Sequence, residues 1–165
     1  MDKVLALLDN SDIPATGGTE LTRTSCNVPL RPGRILVIED DRHIARLLDY
    51  VLHRAGYDLR VAHTAEQGFL EIDKRMPDAL LLDLVLPRMT GLEFLRAIRA
   101  APYFSACVVI VLSGHWVEQA SAVLLEAGAS AQCSKPIAPT TLLRKLREFG
   151  VHPLMPTQTV ESREA

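Results

Sequence analysis

The stretch Ala79-Leu-Leu-Leu-Asp-Leu-Val-Leu-Pro-Arg-Met-Thr-Gly91 runs from aliphatic side chains into an acid, a proline-containing turn and a threonine suited to capping a helix. It reads as a strand over Ala79–Asp83 and a helix from Thr90 to about Ala100. Leu80–Leu82 and the similar run Val108–Leu112 are almost continuously apolar, so both faces of each strand must be covered. In a chain that alternates strands with helices, this predicts a parallel sheet sandwiched between helix layers.

Working outward, the alternation holds on both sides. Upstream, Ile35–Ile38 is a short apolar run, Ile44, Leu47, Leu48, Val51, Leu52 and Ala55 fall at helical spacing, and Leu59–Ala62 precedes a segment opened by Thr64. Downstream come a strand over Cys107–Leu112, a helix near Trp116–Ala127, a short strand around Ala131–Ser134 and a last helix to Phe149. Thr64 with Gln67 and Thr90 with Glu93 fit the capping box, Gly56, Gly128 and Gly150 stand where helices should stop, and Pro139 suits a first helical turn. Five βα units predict an α/β fold, an open doubly wound (βα)5 domain over residues 34–150.

Residues 1–33 mix Gly, Pro and Thr without a sustained period, as a linker does, apart from Val4, Leu5, Leu7 and Leu8, which suit one short amphipathic helix. Residues 151–165 contain Pro153, Pro156 and few large apolar side chains, and are expected to form a disordered tail. Eighteen Lys and Arg against 20 Asp and Glu leave a net charge of −2, too balanced for a protein that works by neutralising nucleic-acid phosphates. The longest apolar run, Ala106–Leu112, is too short to span a bilayer, and the N-terminus lacks a signal layout, so a cytoplasmic protein without membrane partners is expected. Cys26, Cys107 and Cys133 are widely spaced and suggest neither a disulfide framework nor a zinc site.

In doubly wound sheets, ligands bind beyond the carboxyl ends of the strands. There the first strand is followed by Glu39-Asp40-Asp41, the third ends in Asp83, the fourth in Ser113-Gly114 and the fifth in Ser134-Lys135-Pro136. Clustered carboxylates repel one another and are costly to bury without a cation among them. A few hard oxygen ligands with positions left open for water and a phosphoryl group suit Mg²⁺. Taken one at a time, the same residues have ordinary readings: Asp83 as a turn cap, Asp40 or Asp41 as a helix cap, and Lys135 as a surface lysine.

The segments Ile35-Leu-Val-Ile-Glu-Asp-Asp41, Leu81-Leu-Asp-Leu-Val-Leu-Pro-Arg-Met-Thr-Gly91 and Ser134-Lys-Pro136 closely resemble the receiver domain of bacterial two-component response regulators, over roughly residues 34–150. The separations of 43 residues from Asp40 to Asp83, 30 to Ser113 and 22 to Lys135 match that family's spacing. The resemblance implies a flavodoxin-like sheet in the order 2-1-3-4-5, with Asp83 as phosphoacceptor and Glu39, Asp40, Asp83 and the Val85 carbonyl as Mg²⁺ ligands. It also implies Lys135 as a catalytic cation, Ser113 as the switch hydroxyl and a cis Lys135–Pro136 bond. The implied partners are a histidine kinase or histidine phosphotransfer protein and a downstream protein target, with a phosphorylation-dependent homodimer also allowed.

The kinase is expected on the first helix, where Arg42, His43, Arg46 and Asp49 lie off the apolar stripe, and the target on the face of the fourth helix, fifth strand and fifth helix. Both flanks are too short for a separate output domain, so a stand-alone module is expected that catalyses nothing beyond its own phosphorylation and dephosphorylation. Two departures stand out. Gln132 replaces the family's usual Tyr or Phe, which points to Trp116 as a different read-out, and Val85 and His115 hold the positions that modulate phosphoryl lifetime. Valine offers no side-chain hydrogen bond to an attacking water, so slow autodephosphorylation is expected. The alternatives are a receiver-like interaction module that is never phosphorylated and a haloacid-dehalogenase-type phosphatase, which would need a second acid where Val85 stands.

Overall fold

The computed structural model describes residues 31–114 and 118–154. The chain alternates β1 (Arg34–Ile38), α1 (Arg42–Arg54), β2 (Asp58–Ala62), α2 (Ala65–Lys74), β3 (Ala79–Asp83) and α3 (Gly91–Arg99). A 3₁₀ turn at Pro102–Phe104 then leads to β4 (Val108–Ser113), α4 (Glu118–Glu126), β5 (Ala131–Ser134) and α5 (Pro139–Glu148). All strand pairings are parallel, and the sheet order is β2-β1-β3-β4-β5, as expected.

Side chains alternate across the sheet and build two cores. Leu36, Ile38, Leu80, Leu82, Val109 and Val111 pack with Ile72 of α2, Phe94, Leu95 and Ile98 of α3, and Leu124 of α4. Ile35, Val37, Leu81, Ile110, Leu112 and Cys133 face the other way, onto Leu48 and Leu52 of α1 and Leu142 and Leu146 of α5. Both faces of β3 and β4 are therefore covered, which is why their sequences do not alternate. Each fully buried leucine or isoleucine contributes about 1.5–3 kcal/mol relative to exposure.

Local chemistry sets the helix starts. Asp41 Oδ1 accepts hydrogen bonds from the His43 and Ile44 N–H groups at 2.7 and 3.3 Å, which makes Asp41 rather than Asp40 the cap of α1. Thr90 and Glu93 form the complete capping box predicted for α3. At α2 only half of one forms: Thr64 accepts from Gln67 N–H, while the Gln67 side chain turns to the His63 N–H at 2.8 Å. Pro139 opens α5 as expected.

The domain boundaries extend past the predicted ones. The Arg31 guanidinium donates to both Asp78 carboxylate oxygens at 2.6 and 2.9 Å, and Gly33 N–H donates to the His152 carbonyl at 2.8 Å. Val151, assigned from sequence to the tail, is buried, its carbonyl accepts from the Tyr57 hydroxyl at 3.1 Å, and Leu154 N–H donates to the Gly56 carbonyl at 3.0 Å. The prolines and sparse apolar content of that segment conceal contacts made with residues about a hundred positions earlier. The expected helix within residues 1–10, the chain beyond Leu154, and His115 and Trp116 lie outside the described residues.

A half-buried cation ties loops on one side of the sheet. Arg99, in the last turn of α3, donates from Nε to the Gly128 carbonyl at 2.9 Å and from its other nitrogens to the carbonyls of Phe104 and of Cys107, the latter at 2.8 Å. Burial lowers its pKa.

Candidate functional site at the carboxyl edge of the sheet

The register places the site. Ile38 of β1 pairs with Leu82 of β3, so Glu39 and Asp83, one residue further on, stand level at the carboxyl edge. Glu39, Asp83 and Lys135 each follow by two residues a side chain of the α1/α5 core face, namely Val37, Leu81 and Cys133. Strand parity turns all three the same way. The Lys135 N–H also donates to the Ser113 carbonyl at 2.7 Å, which continues the β4–β5 ladder to the lysine, and the Lys135–Pro136 bond is cis, as expected.

These side chains meet. Lys135 Nζ lies 2.9 Å from Asp83 Oδ2 and 2.8 Å from each Glu39 carboxylate oxygen. Only Oε1 of Glu39 receives a directed hydrogen bond, so Oε2 is buried without one. Glu39 is 0% exposed, Asp83 4% and Ser113 7%, whereas Asp40 faces solvent. Glu39, Asp40 and Asp83 each present a carboxylate oxygen within 4.8 Å of the others.

Burial pushes the Glu39 carboxyl up to about 7; the hydrogen bond from Lys135 opposes the rise and the neighbouring Asp83 charge adds to it. For Lys135, desolvation favours the neutral amine, but hydrogen bonds to Glu39 and Asp83 outweigh it and raise its pKa. Among the described residues, one ammonium therefore stands against three acids. That shortfall of positive charge, the hard oxygen donors and the undirected Glu39 oxygen together fit a divalent cation.

The loop after β3 is fixed by short-range bonds. Val85 N–H donates to Asp83 Oδ1 at 3.2 Å, so the turn-capping reading of Asp83 is realised alongside its place in the acid cluster. The Val85 side chain is 76% exposed beside the site. Gly91 N–H donates to the Leu84 carbonyl at 3.0 Å, and a Cβ on Gly91 would stand 2.0 Å from the Asp83 carbonyl oxygen. Glycine is what lets α3 start this close to the acid.

Sequence reading missed three contributors. Gly91 holds the loop, His63 Nδ1 lies 2.9 Å from the Glu39 carbonyl, and Arg88 pairs with Glu66 across the α2–β3 side at 3.2 Å. Gly91 and Arg88 sit in the recognised motif, but only the fold shows what they touch. Gln132, at the departure from the family pattern, has both amide atoms buried with no hydrogen-bond partner among the described residues. Among the described residues, no helix is long and apolar enough to cross a membrane.

Residues 35–147 match the family model of the response regulator receiver domain. The KDP operon transcriptional regulatory protein KdpE of Escherichia coli (strain K12) is 39% identical over 113 residues, which are 68% of this chain and 49% of KdpE. The DNA-binding response regulator MtrA of Mycobacterium tuberculosis (strain ATCC 25618 / H37Rv) is 36% identical over 115 residues, 69% of this chain and 49% of MtrA. The chain thus spans about half the length of these curated relatives. Among solved structures, a response regulator from Chloroflexus aurantiacus J-10-fl superposes with a TM-score of 0.68 at 30% identity, covering 72% of this chain and 98% of that one. A CheY-like receiver domain from Methanospirillum hungatei JF-1 gives 0.64 at 33% identity, with 71% and 92% covered. The parallel sheet in 2-1-3-4-5 order, the acid cluster bridged by Lys135 and these matches lead to one conclusion: the chain belongs to the response regulator receiver domain family of two-component systems.

Proposed function

We propose that Asp83 accepts a phosphoryl group from a phosphohistidine and that the modification switches binding to a downstream protein. The observation that carries this reading is the Lys135 ammonium set 2.9 Å from Asp83 and 2.8 Å from Glu39, beside Asp40, at the carboxyl edge of the sheet. In the transfer, an Asp83 carboxylate oxygen bonds to phosphorus as the phosphorus–nitrogen bond breaks, and the departing imidazole keeps the electron pair. Little covalent chemistry is asked of the protein, so positioning and charge neutralisation supply the catalysis. Lys135 balances charge on the transferring oxygens, and the Val85 N–H orients Asp83. Glu39, Asp40, Asp83 and the Val85 carbonyl would hold Mg²⁺, which when bound neutralises phosphoryl charge. Ser113, buried at the end of β4, is the hydroxyl assigned to the acyl phosphate in the switched state.

The chain acts on itself and turns over no separate substrate, since the phosphatase alternative needs an acid where the exposed Val85 stands. The same valine supports slow autodephosphorylation. The partners in this reading are a kinase or phosphotransfer protein and a protein target, in the cytoplasm, with a homodimer of the phosphorylated form also allowed. Direct nucleic-acid binding is not part of it, and the DNA-binding description of MtrA belongs to a protein of which this chain matches 49%.

The test is intact mass after incubation with acetyl phosphate, with Mg²⁺ or chelator, on the wild type and on Asp83→Asn. The expected result is a Mg²⁺-dependent phosphoryl adduct that the variant lacks. No adduct on the wild type, from acetyl phosphate or from a kinase, would overturn the proposal in favour of a constitutive binding module.

A further inference from the structure

The amino edge of the sheet, opposite the acid cluster, carries a second feature. The starts of β1, β3 and β4, the turn at Pro102–Phe104 and the end of α5 surround an open cleft of about 620 Å³. Met76, Tyr103 and Phe149 are among its apolar lining, with Tyr103 69% exposed and Phe149 exposed as well. Its charged members are held to one another, two guanidinium ions to one carboxylate: Asp78 binds Arg31 through two hydrogen bonds and Arg34 through its backbone N–H and guanidinium. With each of these charges already engaged, what the cleft leaves exposed among the described residues is apolar surface.

The chain supplies a candidate. Arg31, pinned to Asp78, is part of the cleft rim, so the 30 residues before it start from the rim itself. At their far end stand Val4, Leu5, Leu7 and Leu8. That segment is too short to hold a helix alone and gains from a surface to lie on. A random-coil linker of the length between Leu8 and Arg31 has an r.m.s. span of about 25 Å, enough to turn back on its own point of origin. Tethering gives the segment an effective concentration in the millimolar range, so weak apolar contacts suffice. We propose that residues 4–8 fold back into this cleft and cover Tyr103, Met76 and Phe149. The segment then lies at the edge of the sheet away from Asp83 and leaves the acid cluster open.

Hydrogen–deuterium exchange on the full-length chain tests this, with light scattering in parallel. The expected result is at least about tenfold slower exchange of the amides of residues 4–9 than in a free peptide of residues 1–12, independent of protein concentration and from a monomer. Tyr103→Ser, at an exposed position, and the double variant Leu5→Ser/Leu8→Ser should each abolish that protection while phosphoryl incorporation stays unchanged. Exchange at the free-peptide rate would overturn the proposal. So would protection that survives Tyr103→Ser, which would place the segment on another surface, or protection that grows with concentration as a dimer forms, which would make the occupant a second copy.

Discussion

Gly91 couples the stability of this domain to its chemistry, and Gly91→Ala shows how. A Cβ at this position would stand 2.0 Å from the Asp83 carbonyl oxygen, 2.8 Å from Leu84 Cα and 2.9 Å from the Asp83 carbonyl carbon. All three obstacles are backbone atoms, so no rotamer change relieves them, and the strand end and the start of α3 must part by about 1 Å or more. The 3.0 Å bond from Gly91 N–H to the Leu84 carbonyl ties the two together, so the displacement passes to Asp83. Overpacking of this kind costs about 1–3 kcal/mol. For a domain of this size, each kcal/mol lowers Tm by roughly 3–6 °C. A reacting group misplaced by about 1 Å loses on the order of 10²-fold in rate. Thermal unfolding by circular dichroism measures the first effect, and the rate of acetyl phosphate labelling followed by intact mass measures the second. Gly114→Ala, where the added carbon meets nothing within 4 Å among the described residues beyond its chain neighbours, serves as the Tm control. An unchanged Tm and labelling rate in Gly91→Ala would refute the close-approach argument.

Three further outcomes follow from contacts away from Asp83. Gln132→Leu removes an amide buried without partners among the described residues and should stabilise the domain by about 1–2 kcal/mol in urea unfolding; a loss of stability would show that the amide is satisfied in solution. Arg99→Lys cannot reach the carbonyls of Gly128, Phe104 and Cys107 together and should cost about 2–4 kcal/mol by the same assay, whereas a wild-type midpoint would remove the clamp from the account. The Arg31 hydrogen bonds, with those of Arg34, hold the Asp78 carboxyl well below the usual range, so its stabilisation is complete above the unfolded value of about 3.9 and fades as pH falls through that value toward the folded one. Asp78→Asn should therefore cost about 1–2 kcal/mol at neutral pH, discounted because Arg31 is half exposed, with the gap closing in acid; a gap constant with pH would contradict the assignment.

What could be read in advance was what the chain states locally. The apolar runs at Leu80–Leu82 and Val108–Leu112 announced a sheet covered on both faces, and Thr90, Asp41 and Pro139 marked helix starts, because caps and periodicity act within a turn or two. The acids and Lys135 were legible as a group because a parallel sheet delivers every strand end to one edge. The rest depends on contacts between distant residues. Pro102–Phe104 is too short to show a period, Val151 looked like tail because its partner Tyr57 lies 94 residues away, and nothing local to Arg99 announces the three carbonyls it reaches. The glycine at position 91 belonged to a recognised motif, but only coordinates show the carbonyl oxygen it must not touch.

The 2.8 Å bond from Gly33 N–H to the His152 carbonyl brings the segments that enter and leave the described fold side by side, at the edge away from the acids. A fold whose two ends are adjacent can be spliced as a unit into a surface loop of another protein without being pulled apart. Set into such a loop, this domain would present Asp83 and its neighbours outward, which makes it suited to use as a cassette that places the Glu39, Asp83 and Lys135 cluster in a chosen host.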